Sequence, residues 1–402
     1  LFFWSKSLEQ AMYHTVLLRS DGTVVACGSN GCGQCDIPPL DDGVSYIQAA
    51  AGWTHTVLLR SDGRAVACGE KKSGRFDIPL LDEGQSYIQV SAGFLHTVLL
   101  RSDGSAVACG NNDSGQCDIL PLEEGMMYMQ VSAGKFHTVL LRSDGCALAN
   151  GKNQHGQCDI PQLHEGMLYT QVAAGVLHTV LIQSDGTAVA FGMNMHGQCN
   201  IPRLDEGMSY TQVSAGWFHT VLLRCDGTVV AYGMNDDGQC NIPALDEGVW
   251  YTQVAAGGKH TVLLTSDGKA VSCGSDSREV TKIPPLDEGI SYTQVSAGGF
   301  HSVLLRSDGI AVACGTIDLE IPDLEIPCLE LGTYYVEDVL FSGDLALQLH
   351  FLDNDGATSL TCSNLAGETV LQLSVCDSDL AWETHKRLAR DLNVKLQSLR
   401  VV

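Results

Sequence analysis

The sequence predicts an all-β fold, a β-propeller of seven or eight blades, followed by a small α+β segment. Three observations carry this. The stretch His-Thr-Val-Leu-Leu-Arg-Ser-Asp-Gly at 14–22 returns with its histidine at His55, His96, His137, His178, His219, His260 and His301, every 41 residues without slippage. Each unit holds three short β-rich runs and one long loop. A unit of that size cannot bury both faces of its sheet alone, so neighbours must cover them. Antiparallel units joined by long loops do this by closing radially.

One unit shows the elements. Tyr210–Ala215 alternates and is β-rich, so it reads as a strand, and Gly216 ends it. His219–Arg224 is a second strand, with Val221 and Leu223 on one side and Leu222 and Arg224 on the other. Asp226-Gly227 signals a two-residue type I′ hairpin with positive φ at the glycine. The same glycine stands at Gly63, Gly104, Gly145, Gly186, Gly268 and Gly309. Residues 228–232 form a third strand, and Gly233 opens the long loop. A short edge strand is expected at 240–242, held at the edge by Pro243.

Composition fits a folded chain: of 402 residues, 45% are hydrophobic and 17% charged. No apolar run approaches the roughly 20 residues needed to span a bilayer. The expectation is a soluble protein, cytoplasmic or nuclear, with no membrane partner. Leu1 in place of Met predicts a chain that starts inside a longer protein or was trimmed. The net charge of −24 argues against direct nucleic-acid binding, which needs clustered Lys and Arg. It suits a basic protein partner.

The 16 cysteines fall into registers on the repeat. Cys27, Cys68, Cys109, Cys273 and Cys314 share one, where other copies have Asn150, Phe191 and Tyr232. Cys35, Cys117, Cys158, Cys199 and Cys240 share another, where Phe76 also occurs. A position that accepts Phe for Cys is a packing position, so buried thiols are expected rather than disulfides or metal. The C-x-x-C of Cys32 and Cys35 has no second pair to complete a zinc site.

The pattern A-G-x-x-H-[ST]-x-x-L-x-x-D-G-x-[AV]-x-x-x-G-x-N-x-x-G-Q, carried almost fully by 91–116 and 214–239, resembles regulator-of-chromosome-condensation (RCC-type) repeats. The likeness covers about 11–330. It implies an RCC-type propeller over 1–333, normally of seven blades. Eight hairpins are present here, and seven have an upstream Tyr-x-Gln strand. An eighth, composite blade completed by a strand from 334–341 would reconcile the counts. Residues 334–402 are expected to hold a linker strand and a partial ubiquitin-like domain, on the likeness of 365–380 to the first hairpin and helix entry of ubiquitin. Its strands are expected at 345–352, 357–362 and 369–375, its helix at 380–393 and a last strand at 399–402. A ninth, decayed repeat over 345–367 is the rival reading.

The histidines are equivalent between blades and lie too far apart to share one ion at about 2.0–2.1 Å. They are expected to bond backbone between blades. Carboxylates recur before a loop glycine, among them Asp82 and Glu83, Asp205 and Glu206, Asp246 and Glu247, and Asp287 and Glu288. In a propeller they fall on one face as an acidic ring, either ordinary solvated turns or a docking surface for a basic protein partner; a calcium site would need the D-x-[DN]-x-[DN]-G spacing, which they lack. No nucleophile elbow, P-loop or H-E-x-x-H is present, so no catalytic residue, metal or cofactor is expected. Trp53 and Trp217 sit in A-G-W-[TF]-H-T, resembling tryptophan positions of the plant UV-B photoreceptor, and are expected to be packing or loop residues. The leading functional reading is a non-enzymatic interaction scaffold, the partner-binding part of a HERC-like ubiquitin-pathway protein. The alternatives are an exchange factor for a Ran-like small GTPase, which the resemblance implies, and an enzyme-inhibiting propeller.

Overall fold

The computed structural model describes residues 14–315, apart from 20, 72–73, 75–76 and 277–278, and the backbone of 348–354, 357–363 and 369–375. The chain divides into two compact units: Trp4–Tyr335, and Leu1–Phe3 with Val336–Val402.

Eight antiparallel sheets follow one another in the first unit. Blade one is the hairpin of His14–Leu18 and Val24–Gly28. The other seven have three strands whose sheet order is the chain order. Blade two is Tyr46–Ala51, His55–Arg60 and Ala65–Gly69, and blade eight is Tyr292–Ala297, Ser302–Arg306 and Ala311–Cys314. The Tyr-x-Gln strand is innermost, the histidine strand central and the third outermost.

The core lies between blades. Val57 and Leu59 of blade two pack with Tyr87, Val90 and Leu99 of blade three. Leu58, on the other side of the same strand, packs with Val16 and Leu18 of blade one. This is why His-Thr-Val-Leu-Leu is apolar on both faces: the central strand is sandwiched between two neighbours. The same pairing joins every later blade to the next. Leu17 of blade one packs with Val303, Leu305 and Ala311 of blade eight. Eight interfaces thus close eight blades into a ring. Blade one has no inner strand among the described residues, and the proposed clasp at 334–341 lies outside them.

Two local expectations are corrected. The hairpin loop is longer than a type I′ turn. Arg224 N–H donates to Thr228 O at 2.8 Å and Gly227 N–H to Arg224 O at 3.0 Å, closing Cys225-Asp226-Gly227 as a three-residue loop. Only the glycine has positive φ, at 80°, whereas type I′ needs it at both central residues. Asp226 stays right-handed because its Oδ1 accepts both the N–H and the hydroxyl of Thr228, at 2.9 and 2.7 Å. Residues 240–242 form no strand; Cys240 N–H donates instead to Asn235 Oδ1 at 2.9 Å.

Of the cysteines, Cys109 and Cys314 join the inter-blade cores. Burial pushes the thiols of both registers up to about 11–12. Cys32, Cys146 and Cys225 are exposed and fall outside the buried-thiol reading.

In the second unit, Gln348–Asn354, Ala357–Ser363 and Thr369–Val375 pair as an antiparallel meander. The expected helix at 380–393 and strand at 399–402, and with them the ubiquitin-like reading, lie outside the described residues.

The loop glycines separate two costs. At Gly248, φ is +82° and the space a Cβ would enter is open, so alanine there costs only the left-handed backbone, about 1–2 kcal/mol. At Gly227 a Cβ would also run into the Trp250 side chain. Gly227→Ala is expected to destabilise more than Gly248→Ala in urea unfolding; equal losses would show that Trp250 yields freely.

Candidate functional site

The recurring histidines are buried and bond across the blade interfaces. His14, His55, His96, His137, His178 and His219 each reach, through Nε2, the hydroxyl of Thr56, Thr97, Thr138, Thr179, Thr220 and Thr261 in the following blade, at 2.9–3.1 Å. The expected partner was backbone; at these six interfaces Nε2 meets a side-chain hydroxyl, while His219 and His260 also bond the backbone of the next histidine. Five of these threonines donate their single proton to a loop carbonyl, as Thr220 does to Gln198 O at 2.8 Å. The hydroxyl oxygen must then accept, so the histidine donates from Nε2–H, and burial keeps the ring neutral. Each ring fills space that a side chain would need. A Cβ on Gly93 would strike the His96 ring and the Gly134 carbonyl. Burial drives His14, His96, His178 and His260 down to about 4, and His137, His219 and His301 to about 3. These residues tie each blade to the next.

A second belt was missed by sequence reading. The glutamines of the inner strands of blades two to seven reach the backbone of the next inner strand: Gln48 Oε1 accepts from Val90 N–H at 2.8 Å, Gln212 from Val254 at 3.0 Å and Gln253 from Val295 at 2.8 Å. The Tyr-x-Gln register carried that signal, since a buried amide at a fixed place in every repeat must have a partner.

The two ends of the blades differ chemically. At one end the inner-strand tyrosine pairs with the arginine that ends the central strand, as Tyr210 does with Arg224. The carboxylate loops precede this tyrosine. Asp82, Glu83, Asp205, Glu206, Asp246, Glu247, Asp287 and Glu288 are all exposed there, at equivalent places in blades three, six, seven and eight. Several arginines at this end are already tied to acids. Arg60 bonds Asp41 and Asp62 at 2.6 and 2.8 Å, Arg142 bonds Asp144, and Arg306 bonds Asp287 and Asp308 at 3.2 and 2.7 Å. Of the eight predicted site carboxylates, Asp287 is therefore engaged. Among the described residues the other seven make no ion pair. The hairpin glycines Gly63, Gly145, Gly186, Gly268 and Gly309 lie at this same end, each at φ 77–81°.

The other end carries the turns before the histidines and the Asn-x-x-Gly-Gln loops. These loops are ordered by their own side chains. Asn235 Nδ2 donates to Asn241 Oδ1 at 2.8 Å, and Asp237 N–H to Gln239 Oε1 at 3.1 Å. Trp53 and Trp217 are half-buried in the turns. Trp53 lies against Phe94 with ring centroids 3.6 Å apart, and Trp217 meets Phe300 edge-on at 5.1 Å.

The model of the regulator of chromosome condensation (RCC1) repeat matches residues 13–34, 87–116, 130–157, 210–239 and 251–278. With the eight-sheet ring, these matches show a β-propeller whose blades carry RCC1-type repeats. The structure of Prp20p from Saccharomyces cerevisiae, described with its binding properties to Gsp1p and histones, is similar at a TM-score of 0.54 and 19% identity. That likeness covers 73% of this chain and 91% of Prp20p. Human WBSCR16 is similar at 0.51 and 18% identity, over 66% of this chain and 88% of its own. No curated protein matches the chain.

Two predictions follow from the histidine relay. Thr220→Val leaves the His178 donor and the Gln198 carbonyl buried without partners, and is expected to cost about 1–3 kcal/mol in chemical unfolding. A smaller loss than that of the exposed Thr228→Val would discount the relay. The second concerns pH. The folded-state values lie below the ordinary 6.5, so the unfolded chain binds more protons between pH 6.5 and about 4. The stability is fully present above 6.5 and is lost as pH falls through this window. Each of these seven lowered histidines contributes about 1.4 kcal/mol per pH unit. Acid unfolding is expected to be steep, with uptake of several protons; a flat profile from pH 7 to 5 would contradict neutral burial.

Proposed function

We propose that this propeller is a non-enzymatic interaction scaffold whose carboxylate-bearing face receives a basic protein. The observation that carries the reading is the pair of exposed carboxylates repeated at one end of blades three, six, seven and eight, of which Asp287 alone is tied to an arginine among the described residues. Carboxylates at equivalent places on one face add their fields, and such a field steers a positively charged partner from a distance. The RCC1-type fold supports an interaction role rather than catalysis. In a HERC-like parent this part of the chain would supply partner binding.

A second reading has a specific support. Prp20p, of the same fold, is described by its binding to Gsp1p as well as to histones. Exchange on a small GTPase needs a face that displaces nucleotide and no catalytic triad. Release of a fluorescent nucleotide from a Ran-like GTPase, accelerated over buffer, would put this reading first.

The test of the leading proposal uses core histones as the basic probe. Changing Asp205, Glu206, Asp246 and Glu247 together to Asn and Gln is expected to slow association several-fold and to flatten its salt dependence, because exposed charges are screened within about 8 Å at physiological salt. Melting is expected to stay nearly unchanged, since solvated turn charges contribute little to folding. Association indifferent to both salt and these changes removes the acidic face from the account.

A further inference from the structure

Blade four departs from its neighbours at the end opposite the acidic loops. Where it has Lys135 and Lys152, blade three has Phe94 and Asn111, and blade five has Val176 and Met193. The repeat itself is the control: the fold needs no lysine at either position. The backbone nevertheless brings these two together. His137 pairs with Gly151, and Lys152 N–H donates to Phe136 O at 2.8 Å, so the lysines flank one phenylalanine. Their Nζ atoms lie 5.2 and 5.3 Å from the centroid of the Phe136 ring, and Lys135 Nζ lies 4.4 Å from that of Phe94.

Two like charges on one ring repel. The aromatic faces offset part of that. Burial, and then the charge of Lys152, holds Lys135 below the ordinary lysine value. Lys259, Lys269 and Lys282 each have a carboxylate within 2.6–3.3 Å. Lys135 and Lys152 have none among the described residues, in a chain of net charge −24. Beside them the half-buried rings of Trp53 and Phe136 flank Phe94, at centroid distances of 3.6 and 5.8 Å, as an aromatic strip across blades two to four.

We propose that Lys135 and Lys152, held over Phe136 and Phe94, are a docking site for an acidic peptide segment of a partner protein. One carboxylate sits between the ammonium groups, and a neighbouring apolar side chain lies on the aromatic strip. The charge complementarity is local, and the strip selects a peptide over a bare anion. This goes beyond the acidic-face reading: the two ends of the ring then take partners of opposite charge, and the propeller bridges them.

The test follows the lysines directly. Isotope-labelled dimethyl groups, which keep the charge, are placed on the lysines of the full chain and observed by NMR. The signals are assigned with Lys135→Gln and Lys152→Gln. The probe is a blocked peptide, Glu-Leu-Glu-Phe-Glu-Leu, with its all-Gln analogue and inorganic phosphate run beside it. The Lys135 and Lys152 signals are expected to move together while Lys269 and Lys282 stay. Affinity is expected to fall at least about tenfold in the double variant, and likewise for the Gln peptide. Unmoved signals at millimolar peptide, unchanged binding by the double variant, or equal binding of the Gln peptide overturns the proposal. Equal shifts with phosphate alone overturn it in favour of a small-anion site. The amide substitutions at Asp205, Glu206, Asp246 and Glu247 leave this titration unchanged, so the two readings fail separately.

Discussion

The ring depends on one bond: a neutral histidine donating from Nε2 to the threonine hydroxyl of the next blade. That hydroxyl passes its own proton to a loop carbonyl. Three polar groups are satisfied at once in a site buried from solvent, and each would be costly to leave unpaired. The arrangement also explains why the flanking glycine is fixed. The imidazole occupies the volume that a Cβ on Gly52 or Gly93 would take. Histidine, glycine and threonine are therefore one unit split over two blades.

The relay is not uniform round the ring. Ser302 replaces threonine in blade eight and bonds Val280 O at 2.8 Å, while His260 Nε2 has no partner among the described residues. At the next interface His301 Nε2 and Thr15 Oγ1 are both buried without partners among the described residues. Leu17, Val303, Leu305 and Ala311 still pack there. Among the described residues the first and last blades are joined by apolar contact, and the histidine–hydroxyl relay is interrupted on either side of blade eight. In a closed ring the weakest interface sets where opening begins.

Periodicity made the strands legible, because apolar alternation and hairpin signals are local. The turn type was misread for a related reason: Asp-Gly marks a hairpin, but whether the aspartate turns left-handed depends on the hydroxyl of Thr228 beyond it. The histidine partner was invisible because it stands one residue after the next histidine, and only ring closure makes a spacing of 42 residues a contact. The carboxylate loops were legible as a recurring pattern. That Asp287 is held by Arg306 was not, since the two meet only when the inner and central strands pair.

The lysine pair shows what a repeat hides. Lys135 and Lys152 are 17 positions apart in sequence, and nothing in the composition singles them out. Cross-strand pairing sets them on either side of Phe136. Positions that every blade fills alike, such as the histidine and the hairpin glycine, answer to packing. Positions that one blade fills differently are released from that demand, and two of them placing unpaired charge on one aromatic ring is not something packing requires. In a propeller, chemistry for partners accumulates at those released positions, at the blade ends, while the interfaces between blades keep the repeat.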